Sequence, residues 1–105
     1  MKKSLLVILA MMCVLTVSIG VYSASDLVLA TGGTAGTYYP LGGAIANIAN
    51  KRIAKMNMAA QSTGASAENV RLINKGEADL ALVQNDVADY AYNGTESFEG
   101  KPIKT

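Results

Sequence analysis

The residues best suited to chemistry in this chain are hydroxyls and backbone amides, gathered in the stretch Thr31 to Pro40, TGGTAGTYYP. Gly32, Gly33 and Gly36 let the backbone turn sharply and approach a ligand without Cβ interference. Thr37 is placed to cap a following helix, and Pro40 fits a first turn, where its missing N–H would be unpaired anyway. Such a loop, running from a strand into a helix start, favours a small anionic or polar ligand. Two further polar loops repeat the arrangement. Ser62 to Ser66 leads into a helix that Ser66 is expected to cap, with Glu68 near its positive end. Gln84-Asn85-Asp86 leads into another, with Asn85 or Asp86 as cap.

Other chemistries fail on residue type or spacing. The mature part has no histidine, and the single cysteine, Cys13, lies in the leader, so zinc sites, disulfides and His-dependent nucleophilic catalysis are disfavoured. The glycines have offsets of one and four rather than the two and five of a dinucleotide fingerprint, and no Gly-Lys-Ser/Thr follows for a P-loop. Gly64 to Glu68 has glutamate where a nucleophile elbow needs glycine. Glu77 and Asp79 flank a strand start away from the three loops and read as solvated surface groups. The few charges alternate in sign, which excludes a basic nucleic-acid patch. No enzyme, cofactor or metal site is expected.

These loops need a scaffold. Leu27 to Ala30 is a short apolar run suited to a buried parallel strand. Leu41, Ile45, Ile48, Ala49 and Ile53 fall on one helical face, expected to be the buried one, and Gly42 and Gly43 mark a close approach to a ligand or strand. Met56 to Gln61 is a second strand despite lacking any β-branched residue. Val70, Leu72 and Ile73 give the next helix its buried side, and Gly76 stops it. Ala78 to Val83 is a third strand, too apolar for exposure on either face. A helix then runs through Tyr92 to a stop at Asn93-Gly94, and Thr95 to Thr105 is a connection. Strand, loop and helix repeated three times imply an α/β fold with a three-stranded parallel sheet and flanking helices. All three polar loops then lie at the carboxyl ends of the strands, where such sheets bind ligands.

Residues 1–25 read as a signal peptide: Lys2 and Lys3, an uncharged stretch, then Ser23-Ala24-Ser25 before Asp26. An uncleaved anchor is the rival, because Ser4 to Ser25 carries no charge and nearly suffices to span a bilayer. Cleavage leaves residues 26–105, a small domain with net charge −1, since two of the nine basic residues are lost against eight acidic ones. The chain ends at Lys104-Thr105 with no closing element in view, so a fragment or truncated product is expected.

Three blocks carry a resemblance to a known family: ATGGTAGTYYPLGGAIA (Ala30 to Ala46), STGASAENVRLINKGEADLALVQNDVA (Ser62 to Ala88), and AYNG with Phe98 just after it. Together they resemble the start of a TAXI-type solute-binding protein, the extracytoplasmic receptor of a TRAP transporter. The resemblance implies part of the first lobe of a type II periplasmic-binding-protein fold. It also implies capture of a small carboxylate, such as an organic acid or glutamate-like amino acid, and delivery to a TRAP permease in the membrane by a receptor monomeric at full length. Carried over by motif, the ligand-facing positions are Thr34, Gly36, Thr37, Tyr38 or Tyr39, Ser66, Ala67, Gln84, Asn85 and Asp86. Ala35 and Ala65 depart from the pattern, standing where many relatives have glycine, and such receptors are considerably longer than this chain. The rival functional readings are a truncated non-functional fragment and an uncleaved membrane-anchored peptide. Intact mass measurement of the exported protein should find Asp26 at its N-terminus; a start at Met1 would favour the anchored form.

Overall fold

The computed structural model describes residues 25–104, so residues 1–24 of the expected leader, Cys13 among them, lie outside the described residues. The order is β1 (Ser25–Ala30), α1 (Tyr38–Arg52), β2 (Met56–Gln61), α2 (Ser66–Lys75), β3 (Leu80–Ala81), α3 (Asn85–Asn93) and a 3₁₀ turn (Glu96–Phe98). The sheet order is β2-β1-β3 and both pairings are parallel, as the strand–loop–helix repetition requires. Because β2 and β3 flank β1 on opposite sides, the two crossovers run in opposite senses. Right-handed connections therefore place α1 and α2 on opposite faces of the sheet. No helix among the described residues is long and apolar enough to cross a membrane.

β2 shows how packing overrides propensity. Its six residues pair in register with β1 from Ser25↔Met56 to Ala30↔Gln61. Met58 is buried, and its backbone is also held from the helix side. The Asn50 side chain accepts from Met58 N at 2.6 Å and donates to Met58 O at 2.9 Å. An amide side chain thus stands in for a neighbouring strand at this edge, blunting it against further pairing.

The buried face of α1 differs from the expected one. Leu41, Ile45, Ile48 and Ile53 are exposed; of the expected face Ala49 is buried, and it meets the sheet together with Gly42 and Ala46. Close approach explains the choice. A Cβ at Gly42 would collide with Thr31 Cγ2 and would lie 3.4 Å from Leu29 Cδ2, whereas one at Gly43 would meet nothing within 4 Å. Small residues bring the helix axis near the sheet, and the core forms from Leu29, Ala46, Ala49 and Met58, with Leu27, Met56 and Leu82 packed against it.

Other departures are local. The third strand is only two residues long and Leu80 is exposed, because β3 is an edge with β1 on one side alone. Asp79 steadies its start, accepting from Val28 N at 2.7 Å, so this carboxylate has a structural use beyond solvation. Val70, Leu72 and Ile73 are half-buried, while the fully buried positions of α2 are Ser66 and Asn69. Gly76 and Gly94 end α2 and α3 in left-handed conformation, at φ 72° and 68°, as the sequence implies. The final stretch is more than a connection: Phe98 is buried in the 3₁₀ turn, and Ile103 N donates to Ala91 O at 2.8 Å.

Gly42→Ala should lower stability by about 1–3 kcal/mol through overpacking, and Gly43→Ala should raise it by about 0.5–1 kcal/mol through helix propensity. Urea denaturation midpoints measure both; equal effects would contradict the close helix–strand contact.

Candidate functional site

The three polar loops meet at the carboxyl ends of the parallel strands. Thr31 N continues the ladder to Gln61 O at 3.0 Å, and Thr63 N and Ser62 Oγ both donate to Gly32 O, at 3.2 and 3.0 Å. Loops one and two are thereby stitched together. Loops two and three are joined by Ser66, whose Oγ accepts from Gln84 N at 3.0 Å.

All three are tied by Asn69. Its side chain is fully buried; Nδ2 donates to Thr31 O at 2.6 Å and to Leu82 O at 2.8 Å, while Oδ1 accepts from Thr63 Oγ1 at 2.6 Å. The Thr63 hydroxyl accepts in turn from Ala65 N at 3.1 Å. One amide therefore holds the ends of β1 and β3 and the loop after β2. No side-chain polar atom buried among the described residues lacks a partner, so this network is fully satisfied and rigidifies the loops.

Above the network lies an open recess of about 270 Å³ lined by Gly32, Gly33, Gly36, Thr37, Tyr38, Ala65 and Gln84. The starts of α1, α2 and α3 surround it. None of the three helices has a side-chain cap hydrogen bond, so amides of their first turns stay unpaired by the helix itself. They differ in charge: α2 carries Glu68 and α3 carries Asp86 in the first turn, whereas α1 carries no acid there. Glu68 Oε2 accepts from Gly64 N at 2.6 Å, and Asp86 Oδ1 accepts from Val87 N at 2.8 Å. The least compensated positive helix end is therefore that of α1.

Of the positions named from sequence, Gly36, Thr37, Tyr38 and Gln84 line this recess. The adjacent tyrosines part company: Tyr38 is half-buried in the wall and Tyr39 lies outside the lining, exposed. Thr34 sits on the exposed turn closed by Gly36 N donating to Gly33 O. Asn85 and Asp86 are exposed in the first turn of α3, and Ala67 lies in that of α2. Ser66 is a buried joint between loops. The capping assignments also shift. Thr37 holds the N-cap position without a side-chain bond, Ala65 replaces Ser66 as N-cap, and Gln84 replaces Asn85 or Asp86.

Gly32 and Gly33, singled out in the glycine loop but not among the carried-over positions, also line the recess; missed altogether are Ala65 in the lining, and Asn69 with Thr31 and Thr63 beneath it. The signal for Asn69 was present: Ser66, Asn69, Val70 and Ile73 share one helical face, and a polar pair there marks a buried hydrogen-bonding task. Ala65 has φ 69° and ψ −152°, a region essentially restricted to glycine, so the alanine stores strain at the recess wall. Arg71, the arginine nearest in sequence to these loops, turns away. Its Nη2 donates to Ser97 O at 2.8 Å and its guanidinium lies 4.8 Å from the Phe98 ring centroid.

Two larger hollows lie elsewhere. One of about 550 Å³ lies between Arg71 and the closing segment, and another of about 360 Å³ is an apolar groove between α2 and α3. Neither draws together the three helix starts.

Asn69→Leu takes the donor from the carbonyls of Thr31 and Leu82 and the acceptor from the Thr63 hydroxyl and should cost about 3 kcal/mol or more, whereas Asn74→Leu on the exposed side of α2 should stay within about 0.5 kcal/mol. Ala65→Gly should stabilise by up to about 1 kcal/mol. Thermal unfolding checks all three, and an Asn69 variant as stable as the Asn74 control would contradict the network.

Residues 29–105 match the model of the NMT1-like family, which takes in most of the chain, and the chain belongs to that family. It is a periplasmic-binding-protein-like family of solute-binding proteins, and the α/β unit with its three-stranded parallel sheet fits one lobe of such a protein.

Proposed function

Taking the chain as a member of the NMT1-like family, we propose that it serves as an extracytoplasmic solute receptor for a small carboxylate, an organic acid or glutamate-like amino acid. The observation that carries the reading is the recess of about 270 Å³ at three uncapped helix starts, of which only that of α1 lacks an acid of its own. The guest carboxylate sits against the Gly33–Gly36 turn and the first amides of α1, where backbone donors and the helix dipole act together. Thr37 adds a hydroxyl, Tyr38 forms an apolar wall with a polar tip, and Gln84 meets the polar remainder of the guest. Thr34, Tyr39, Asn85 and Asp86 are exposed outside the lining and are assigned contacts with the guest only on the family resemblance. Ser66 acts by holding loop three, and Ala67 supplies a first-turn amide of α2.

On the resemblance to TAXI-type receptors, the bound solute is handed to a TRAP permease, residues 1–25 direct export, and residues 26–105 form the first-lobe part. A second lobe would close over the guest and shield it from water. The openness of the recess favours the companion reading that this lobe alone binds weakly and is non-functional by itself.

Calorimetric titration of the chain with L-glutamate, succinate and glucose tests the proposal. Binding of one of the two carboxylates at about millimolar Kd and its weakening by about ten-fold in Tyr38→Ala are expected, with no heat from glucose. Binding of glucose or a metal ion in preference to both carboxylates would overturn it.

A further inference from the structure

Within the recess, one spot above Gly32 is walled by carbon rather than by hydrogen-bonding groups. Gly32 is buried just beyond the end of β1 and lines the recess together with Tyr38 and Ala65. A methyl group placed on it would meet Tyr38 Cβ at 3.5 Å, Ala65 Cβ at 3.6 Å and Tyr38 Cδ2 at 3.8 Å. These would be its nearest contacts outside the adjoining residues. All are carbons at ordinary van der Waals distance. The space is a notch one carbon wide between the tyrosine and the alanine methyl.

Ala65 holds its side of the notch against its own backbone preference, in the glycine-favouring conformation already described. Its polar groups are engaged elsewhere. The Ala65 N–H donates to Thr63 Oγ1 at 3.1 Å, and its carbonyl accepts from Asn69 N at 2.9 Å. The preceding amide, Gly64 N, donates to Glu68 Oε2 at 2.6 Å. This bend thus uses both of its own amides within the lobe and offers the recess a methyl group. Glycine at the same position would relax the backbone and remove that methyl, so the alanine keeps an apolar contact in the recess while lowering stability.

Resting on the reading of the recess as a carboxylate site, we infer that this notch seats the carbon next to the guest's carboxylate and selects an unsubstituted methylene there. Tyr38 opens α1, so a carboxylate held by the first amides of that helix brings its neighbouring carbon alongside the tyrosine. A hydroxyl on that carbon would leave water to face carbon alone, without a partner. A branch would exceed the width of the notch. The favoured class is therefore carboxylates with a plain methylene beside the carboxyl group, such as succinate or the side-chain end of L-glutamate, over α-hydroxy acids. All the walls belong to this lobe, whatever closes over the recess from above.

The test is an NMR titration of the isotopically labelled chain with succinate, L-glutamate and L-tartrate, the last matching succinate in charge and length. Succinate or L-glutamate should shift the amides of Gly32, Gly36 and Tyr38 and bind about ten-fold tighter than L-tartrate. Gly32→Ala fills the notch and should weaken the same guest about ten-fold. Its unfolding midpoint should stay near that of the original chain, because Gly32 lies outside the left-handed region and the added contacts are ordinary ones. Ala65→Gly should raise the midpoint, weaken the guest about four-fold and shrink the preference over tartrate; a merely structural residue would move stability and affinity together. Tartrate binding as tightly as the preferred guest, full affinity in either variant, or a Gly32→Ala chain that fails to fold would overturn the notch and leave the carboxylate site standing. No binding of any of the three would overturn the carboxylate reading and the notch with it.

Discussion

One buried amide holds this molecule's working end together. Asn69 spends both its protons on the carbonyls of Thr31 and Leu82 and its oxygen on the hydroxyl of Thr63. Those partners lie 38, 13 and 6 residues away in sequence. A single side chain thus converts three loops, each mobile by composition, into one surface. A buried amide is costly when unpaired and specific when fully paired, so the same group that would destabilise a generic core fixes the register of the loops here. Ser66 extends the device by accepting from Gln84 N, and the recess sits directly on this frame.

The sheet beneath obeys a different constraint, closeness. Gly42, Ala46 and Ala49 let α1 lie near β1 and β2, so that Thr31 and Leu29 reach the helix backbone. That closeness places the start of α1, with its glycine-rich approach, beside the ends of the strands. Its consequence is that the larger aliphatic side chains of α1 are displaced to the flank. The apolar pattern that announces a helix is then offset from the surface the helix buries.

This offset explains what could be read from the sequence and what could not. Strand–loop–helix alternation was legible because glycines, prolines and apolar runs are local signals, and even MNMAAQ formed its strand where expected. The helix stops at Gly76 and Gly94 were legible for the same reason, since a left-handed residue is a local demand. Which face of α1 is buried was not, because bulk suggested Leu41, Ile45 and Ile48 while interaxial distance selected the small residues. The third strand shrank to Leu80–Ala81 because apolar composition says nothing of a missing neighbour on one side. At the recess, Gly36, Thr37 and Gln84 belong to loops whose chemistry pointed to a ligand, and the family resemblance carried them over together with Tyr38 or Tyr39, between which the sequence did not choose. Asn69 could not be named by looking at loops, since it acts from within a helix.

The family match and the geometry bear on one idea, that three separated bends present their donors to a single guest. Intermolecular nuclear Overhauser contacts between isotopically labelled L-glutamate and the chain test it most directly. The account predicts contacts from one bound molecule to Gly36 and Tyr38 in the first loop region and to Gln84 in the third. Contacts confined to one loop, or located in the groove between α2 and α3, would contradict it.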